Sequence, residues 1–338
     1  MKLTDERTEM DFQQIKPYPE TAWNSESFAC QKPRPEQGIL TKLLQGGDPL
    51  PWCRANETVP VSMIEEPTPA DIKQRLKENK GETHWDENQY SAGSLNKLGR
   101  IYFYLTMFAK GFCVFVAPIF FPVTIGLFVT DDSVSISDLS NAITTMSLLV
   151  FLPSVLIWGY AEASERGYLP MPWFMKAVKH FTFSRSTGMV TRYKNNKELY
   201  SHPFSEFDCY LVSSPNHQGI LSYQLHLVHR YHRYSDSIPL HTFTSSQQPD
   251  ELKRIWNLIQ RYMDTSQPMP DVPELEPARA KDPTTAAWDA KNNRKPDYWF
   301  SMDDVEFEEA LLELQAEQRF KPTQGPEIDL FNGGTQAG

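Results

Sequence analysis

GFCVFVAPIFFPVTIGLFVT at residues 111–130 and LSNAITTMSLLVFLPSVLIWGYA at residues 139–161 decide how this chain folds. The first runs 20 residues without a charge and the second 23. At a rise of about 1.5 Å per residue, roughly 20 helical residues cover the hydrocarbon core of a bilayer. Buried helices of soluble proteins seldom go so long without a charge. Pro118, Pro122 and Pro153 would break a soluble helix, whereas a membrane helix tolerates them when neighbours satisfy the freed carbonyls. The apolar run IYFYLTMFA at 101–109 extends the first segment. The expected element is a transmembrane hairpin of helices at 101–130 and 142–162.

Lys110 interrupts the first run. At the bilayer centre a lysine costs about 2.5–3.5 kcal/mol on insertion scales, but near an end it snorkels to the headgroups. Its expected place is therefore the first turns of the span, with Tyr102, Phe103, Tyr104 and Phe108 as an interfacial aromatic belt. Basic residues then set the orientation. The connector 130–141 has Asp131, Asp132 and Asp138 but no Lys or Arg, while Lys97, Arg100 and Lys110 precede it. Arg166, Lys176, Lys179, Arg185, Arg192, Lys194 and Lys197 follow the second span. Both termini are expected in the cytoplasm, with Arg100, Lys110, Arg166, Lys176 and Lys179 at the membrane interface touching inner-membrane lipid. MKLTDERTEM is charged and lacks an apolar core, so no signal peptide is expected ahead of the hairpin.

Outward from this centre the chain is polar. Its 338 residues carry a formal charge of −10, which argues against a nucleic-acid binder. Residues 1–100 are punctuated by proline (KPRPEQ, DPLPW, EEPTPAD) and read as a loosely ordered region. Within it Trp23, Phe28, Ile39, Leu40, Leu43 and Leu44 are candidates for docking. One short helix is expected from Thr68 through ADIKQRLKENK.

Residues 176–265 read as a small antiparallel β domain. Phe181 and Phe183 alternate, Ser186-Thr187-Gly188 turns the chain, and MVTRY at 189–193 resumes a strand. CYLV (209–212) and IPLHTF (238–243) are further strands. From Ile220 to Arg233, Leu221, Tyr223, Leu225, Leu227 and Tyr231 fall on one face and Ser222, Gln224, His226, Arg230 and His232 on the other. DELKRIWNLIQRYM then makes an amphipathic helix whose stripe is Leu252, Ile255, Trp256, Ile259, Tyr262 and Met263. The fold class is α+β: a transmembrane hairpin plus a small antiparallel barrel or sandwich capped by a C-terminal helix.

After it, Pro268, Pro270, Pro273, Pro277 and Pro283 predict an extended linker over 266–300. An acidic amphipathic helix is expected over 301–320, capped by Ser301, with Val305, Phe307, Leu311, Leu312 and Leu314 as its apolar side. Seven acids and no Lys or Arg lie between Asp303 and Glu317. Asp303, Asp304, Glu306, Glu308 and Glu309 are therefore candidates to dock a basic partner. Residues 321–338 read as a flexible tail.

Catalytic and cofactor motifs are not found. In HLVHRYH the three histidines would share a side only on a helix. On a strand His229 points away from His226 and His232, so no metal site is expected unless loops supply His217 or His241. No G-x-S-x-G, Walker loop or G-x-G-x-x-G occurs, and the four cysteines (Cys30, Cys53, Cys113, Cys209) have no metal-type spacing. No enzyme activity and no cofactor are expected.

The succession Phe181-x-Phe183, Thr187-Gly188, HPFSEF at 202–207, a long alternating strand and a Trp-containing helix ending in RYM resembles a bacterial pleckstrin-homology-like domain. With two membrane helices ahead of it, the region of roughly residues 100–265 is similar to an uncharacterised family of proteobacterial inner-membrane proteins often encoded beside type VI secretion effectors. That resemblance implies a membrane-anchored immunity protein or accessory factor. Its partner would be a cognate toxin met from the cytoplasmic side, a basic nuclease fitting the acidic surface. The alternative is a scaffold or regulatory protein whose β domain binds another membrane complex.

Overall fold

The computed structural model describes residues 18–33, 35, 47–64, 83–130, 135–175, 177–215, 219–232, 234, 237–240 and 248–332, with the side chains of Thr83 and His84 left aside. Two units are distinguished: Ser94–Val178, and the remainder formed by Met1–Gly93 with Lys179–Gly338. The expected helix beginning at Thr68, and Ile39, Leu40, Leu43, Leu44, Lys176, His217 and His241, lie outside the described residues.

In the Ser94–Val178 unit, Asn96 starts helix α1 (Lys97–Thr130) by accepting the Gly99 N–H at 2.7 Å. Ser135 starts α2 (Ile136–Glu165) through a capping box with Asp138. These caps lie outside the apolar runs, so both helices exceed the expected 101–130 and 142–162. Each widens into a π turn, Phe112–Val116 in α1 and Ser147–Phe151 in α2. In both a proline (Pro118, Pro153) follows two residues after the π turn. Proline offers no N–H and crowds the carbonyl four residues back, and an i→i+5 turn relieves that crowding. Phe151 is buried beside Phe112, Phe120 and Phe121, with ring centroids 5.1–5.8 Å away. Both helices are long and apolar enough to cross a membrane.

The other unit carries two antiparallel sheets. One has the order β1 (Gly47–Pro49), β7 (Phe207–Pro215), β8 (Leu221–His229), β9 (Ile238–Pro239). The second runs β2 (Thr83–Trp85), β3 (Gln89–Leu95), β4 (Ala177–Ser184), β5 (Met189–Lys194), β6 (Lys197–Pro203). Neither closes on itself, so the expected barrel is not formed. Gly188 ends the β4–β5 turn at φ +71°, where a Cβ would lie 2.1 Å from the Thr21 carbonyl oxygen. Asn195 and Asn196, both at positive φ, make the tight β5–β6 turn. β8 pairs with β7 from Phe207↔His229 to Pro215↔Leu221 and ends at His229, so Arg230–His232, expected within the long strand, lie past its end.

Helix α3 (Pro249–Met263) buries all six residues of its expected stripe. It also buries Asn257 and Gln260, which an amphipathic reading leaves in water. Segment 53–58 covers that side. The Cys53 and Asn56 N–H groups donate to Gln260 Oε1 at 2.7 Å and Asn257 Oδ1 at 3.1 Å, and Asn257 Nδ2 donates to the Asn56 and Thr58 carbonyls. Trp23, Trp52, Val59, Ile64 and Tyr90 join the same core, so the described N-terminal residues are integral to the β unit rather than loosely ordered.

The predicted linker is folded too. Residues 266–300 contain α4 (Glu276–Arg279), α5 (Pro283–Lys291) and α6 (Tyr298–Ser301), with Met269, Val272, Leu275 and Trp299 buried. Pro277 and Pro283 occupy first-turn positions, where a missing N–H costs nothing. In place of an extended linker they begin helices. The supposed tail is likewise anchored over its described part. Arg54 and Ile328 N–H groups donate to the Pro326 and Trp52 carbonyls at 2.9 Å, and Leu330 is buried.

Candidate functional site

Three groups of residues are candidates for function, and the elements that carry them differ. On the long helices, Arg100 lies exposed in the first turns of α1, and Lys110 is exposed one residue before the uncharged run. Arg166 caps the end of α2 and forks onto Glu162 with Nε at 3.0 Å and Nη2 at 2.7 Å. Lys179 stands on β4, its N–H bonded to Asn196 Oδ1. The apolar surface of the two helices is open: Phe115, Ile119, Leu127, Val129, Leu148 and Leu149 are each about half to three-quarters exposed.

The acidic segment is α7 (Asp304–Gln318). Its cap is Asp303 rather than Ser301: Asp303 Oδ1 accepts the Val305 and Glu306 N–H groups, and Glu306 returns the bond to complete a capping box. Phe307 and Leu311 are buried, Leu314 is half-buried and Gln318 is buried, a stripe at 3.6-residue spacing. Val305 and Leu312, expected on the apolar side, are exposed because they lie off that line. Asp303, Asp304, Glu306, Glu308 and Glu309 all face solvent.

The third group was hidden in the sequence. His202 at the end of β6, Glu206 in the following 3-10 turn and His229 at the end of β8 bring their ligand atoms within 4.8 Å of one another. His229 Nε2 lies 3.0 Å and His202 Nδ1 3.8 Å from Glu206 Oε2. Spacings near these suit a tetrahedral ion with ligands at about 2.0–2.2 Å. The tautomer argues otherwise. His229 Nδ1 accepts the backbone N–H groups of His232 (2.9 Å) and Tyr231 (3.2 Å), so its proton resides on Nε2 and is donated to Glu206. A metal-bound histidine donates from its second nitrogen. Ligation through Nε2 would put a proton on Nδ1, facing two other donors. The cluster fits a hydrogen-bonded pin between β6 and β8 better than a metal centre. HLVHRYH drew attention to the right histidine but the wrong companions. His226 bonds Ser237 Oγ at 2.8 Å, and His202 and Glu206 sit in the HPFSEF motif.

Burial and the charge of His202 push the His229 pKa down to about 4, against the opposing pull of Glu206. A histidine held neutral in the fold stabilises it above the unfolded pKa of about 6.5 and loses that contribution as pH falls toward 4. His202, His232 and Glu206 face the ring. The expected loss is about 2–3 kcal/mol between pH 6.5 and 4. Urea unfolding at both pH values checks it, and a His229→Gln variant is expected to show a flatter profile.

Burial and the Glu327 charge raise the Cys53 thiol to about 12, and burial, with Asp208, raises Cys209 as well. No protein-family model, no curated protein and no solved structure matches the chain.

Proposed function

We propose that this protein is a membrane-anchored, non-enzymatic binding protein in which α1 and α2 cross the bilayer as a hairpin and the β-rich unit engages a protein partner. One observation carries the reading. The most apolar windows of α1 and α2 are 0% and 11% buried, where the core helix of a soluble protein would be mostly buried. Exposed apolar surface on this scale requires a covering phase, and lipid is the one whose thickness matches the charge-free runs of the two helices. The Lys and Arg distribution supports termini in the cytoplasm, in the inner membrane of a bacterium. The residues between the helices are too few for a standard interface of about 800 Å² per partner, so the partner meets the β-rich unit.

Within this proposal the partner is a cognate type VI secretion toxin, and the protein acts as its immunity protein or accessory factor. Support comes from the resemblance described above and from the solvent-facing acids of α7, which suit a basic nuclease. The anchor is tested by alkaline carbonate extraction and by reporter fusions after residues 133 and 338. Retention in the membrane pellet, an external residue 133 and a cytoplasmic C-terminus are expected; release by carbonate refutes the anchor. The immunity role is tested by co-expressing the neighbouring toxin gene. Growth rescue is expected, and equal growth arrest with and without this protein refutes it.

A further inference from the structure

Three arginines are buried around the end of α3, and two of them have carboxylates. Arg185 is paired with Asp282 and Arg279 with Asp289. Arg261, 9% exposed, has neither: among the described residues its single hydrogen bond runs from Nε to the Pro268 carbonyl at 3.1 Å, and it forms no ion pair. Burial opposes its charge, and the neighbouring Arg279 and Arg185 add to that, with Glu57 the main opposing influence. A position in the last turn of α3 suits a cation on helix-dipole grounds. That accounts for a basic residue there but supplies no protein acceptor for its two Nη groups among the described residues.

Arg261 belongs to the wall of a cavity of about 200 Å³. Val59, Met269, Leu314 and the half-exposed indole of Trp288 give it apolar sides. The other cations of the wall are engaged: Arg279 bonds Asp289 and the Met269 and Pro270 carbonyls, and Lys321 bonds Glu317 at 2.8 Å. Three acids (Glu57, Asp271, Glu317) balance three bases (Arg261, Arg279, Lys321) around the cavity. A monoanion is therefore better accommodated than a dianion. The two free Nη groups present the forked edge that a planar carboxylate takes in bidentate fashion. We infer that this cavity binds a small organic carboxylate carrying an apolar group, with Arg261 as its anchor and Trp288 flanking the apolar part.

The test uses the full-length protein in lipid nanodiscs with 3-phenylpropionate as probe, read by calorimetry and by thermal unfolding. Saturable binding is expected, with Arg261→Gln weakening it about tenfold or more, since a charge-assisted pair is lost. Trp288→Ala is expected to weaken it several-fold. The uncharged 3-phenylpropionamide should bind the wild type at least about tenfold more weakly, a comparison that stands even if Arg261→Gln fails to fold. Equal affinity for acid and amide, or an unchanged affinity in a folded Arg261→Gln variant, overturns the proposal. Tighter binding of inorganic phosphate than of 3-phenylpropionate overturns the carboxylate assignment.

Discussion

Replacing Arg185 with methionine is expected to destabilise the β-rich unit by about 3–5 kcal/mol, the cost of leaving a buried charge without its partner. Arg185 is fully buried in the β4–β5 turn. Its Nε and Nη2 donate to the two oxygens of Asp282 at 2.8 and 3.0 Å. The remaining N–H groups donate to the carbonyls of Tyr262, Asp264 and Gln267 at 2.6–2.9 Å. One side chain thus ties the turn, the end of α3 and the loop that follows to Asp282. Asp282 in turn caps α5 through Thr285 and accepts from the Tyr18 hydroxyl.

Burial works against ionisation of Asp282, yet Arg185 and these donors hold its carboxyl below the usual carboxylate range. Its stabilising contribution is present above the unfolded carboxylate pKa and is lost as pH falls through the depressed folded value. In the Arg185→Met variant the unpaired carboxylate prefers its proton. The difference between wild type and variant should therefore narrow toward pH 4. An Arg185→Met/Asp282→Leu double variant should cost less than the sum of its singles. Urea unfolding followed by tryptophan fluorescence measures all of these, and additive singles would remove the pair from the account.

The second large effect is expected at Trp256. Truncation to alanine should cost about 3–5 kcal/mol, the range for a buried aromatic whose cavity relaxes incompletely. Trp256 is fully buried, edge-on to Trp52 at 5.4 Å and tilted against Phe204 at 5.7 Å. Its Nε1 donates to the Pro51 carbonyl at 2.9 Å. Trp52 continues the stack to Trp23 at 5.0 Å and itself donates from Nε1 to the Phe207 carbonyl. Trp256→Phe keeps ring packing and loses the hydrogen bond, so a smaller loss of about 1–2 kcal/mol is expected. If alanine and phenylalanine cost the same, the bond to Pro51 dominates and the packing account fails. Pro51 and Trp52 come from the N-terminal region, so limited proteolysis of Trp256→Ala should open that segment first.

Much of the element list was legible in the residues. The charge-free runs specified α1 and α2 because few other environments make so many consecutive apolar residues stable in a helix. Period-2 alternation placed β8 and period 3.6 placed α3, whose six expected core residues are all buried, with Leu258 in addition. The Thr187-Gly188 turn followed from glycine's freedom at positive φ. These are local properties, and a local reading recovers them.

What escaped was non-local. Proline-rich segments 48–60 and 266–300 looked extended because composition alone cannot tell a solvated proline from one at a helix start or against a core. The burial of 48–60 depends on partners more than 150 residues away, as Cys53 N–H on Gln260 shows. The cluster of His202, Glu206 and His229 needed the β6–β7 turn and the β7–β8 register before its members could meet. Nothing local to the sequence marks Arg261, in the last turn of α3, as buried. By itself, then, the sequence determined the two apolar helices, α3 and the strands with clear alternation, since those follow from hydrophobic period and backbone preference, but not β1–β3 or the helices of 266–300. Only the tertiary structure decided which polar side chains lost their water and which found a partner. Arg185 and Arg261 are both buried arginines, and the presence of Asp282 beside one and a cavity beside the other separates an anchor of the fold from a proposed binding site.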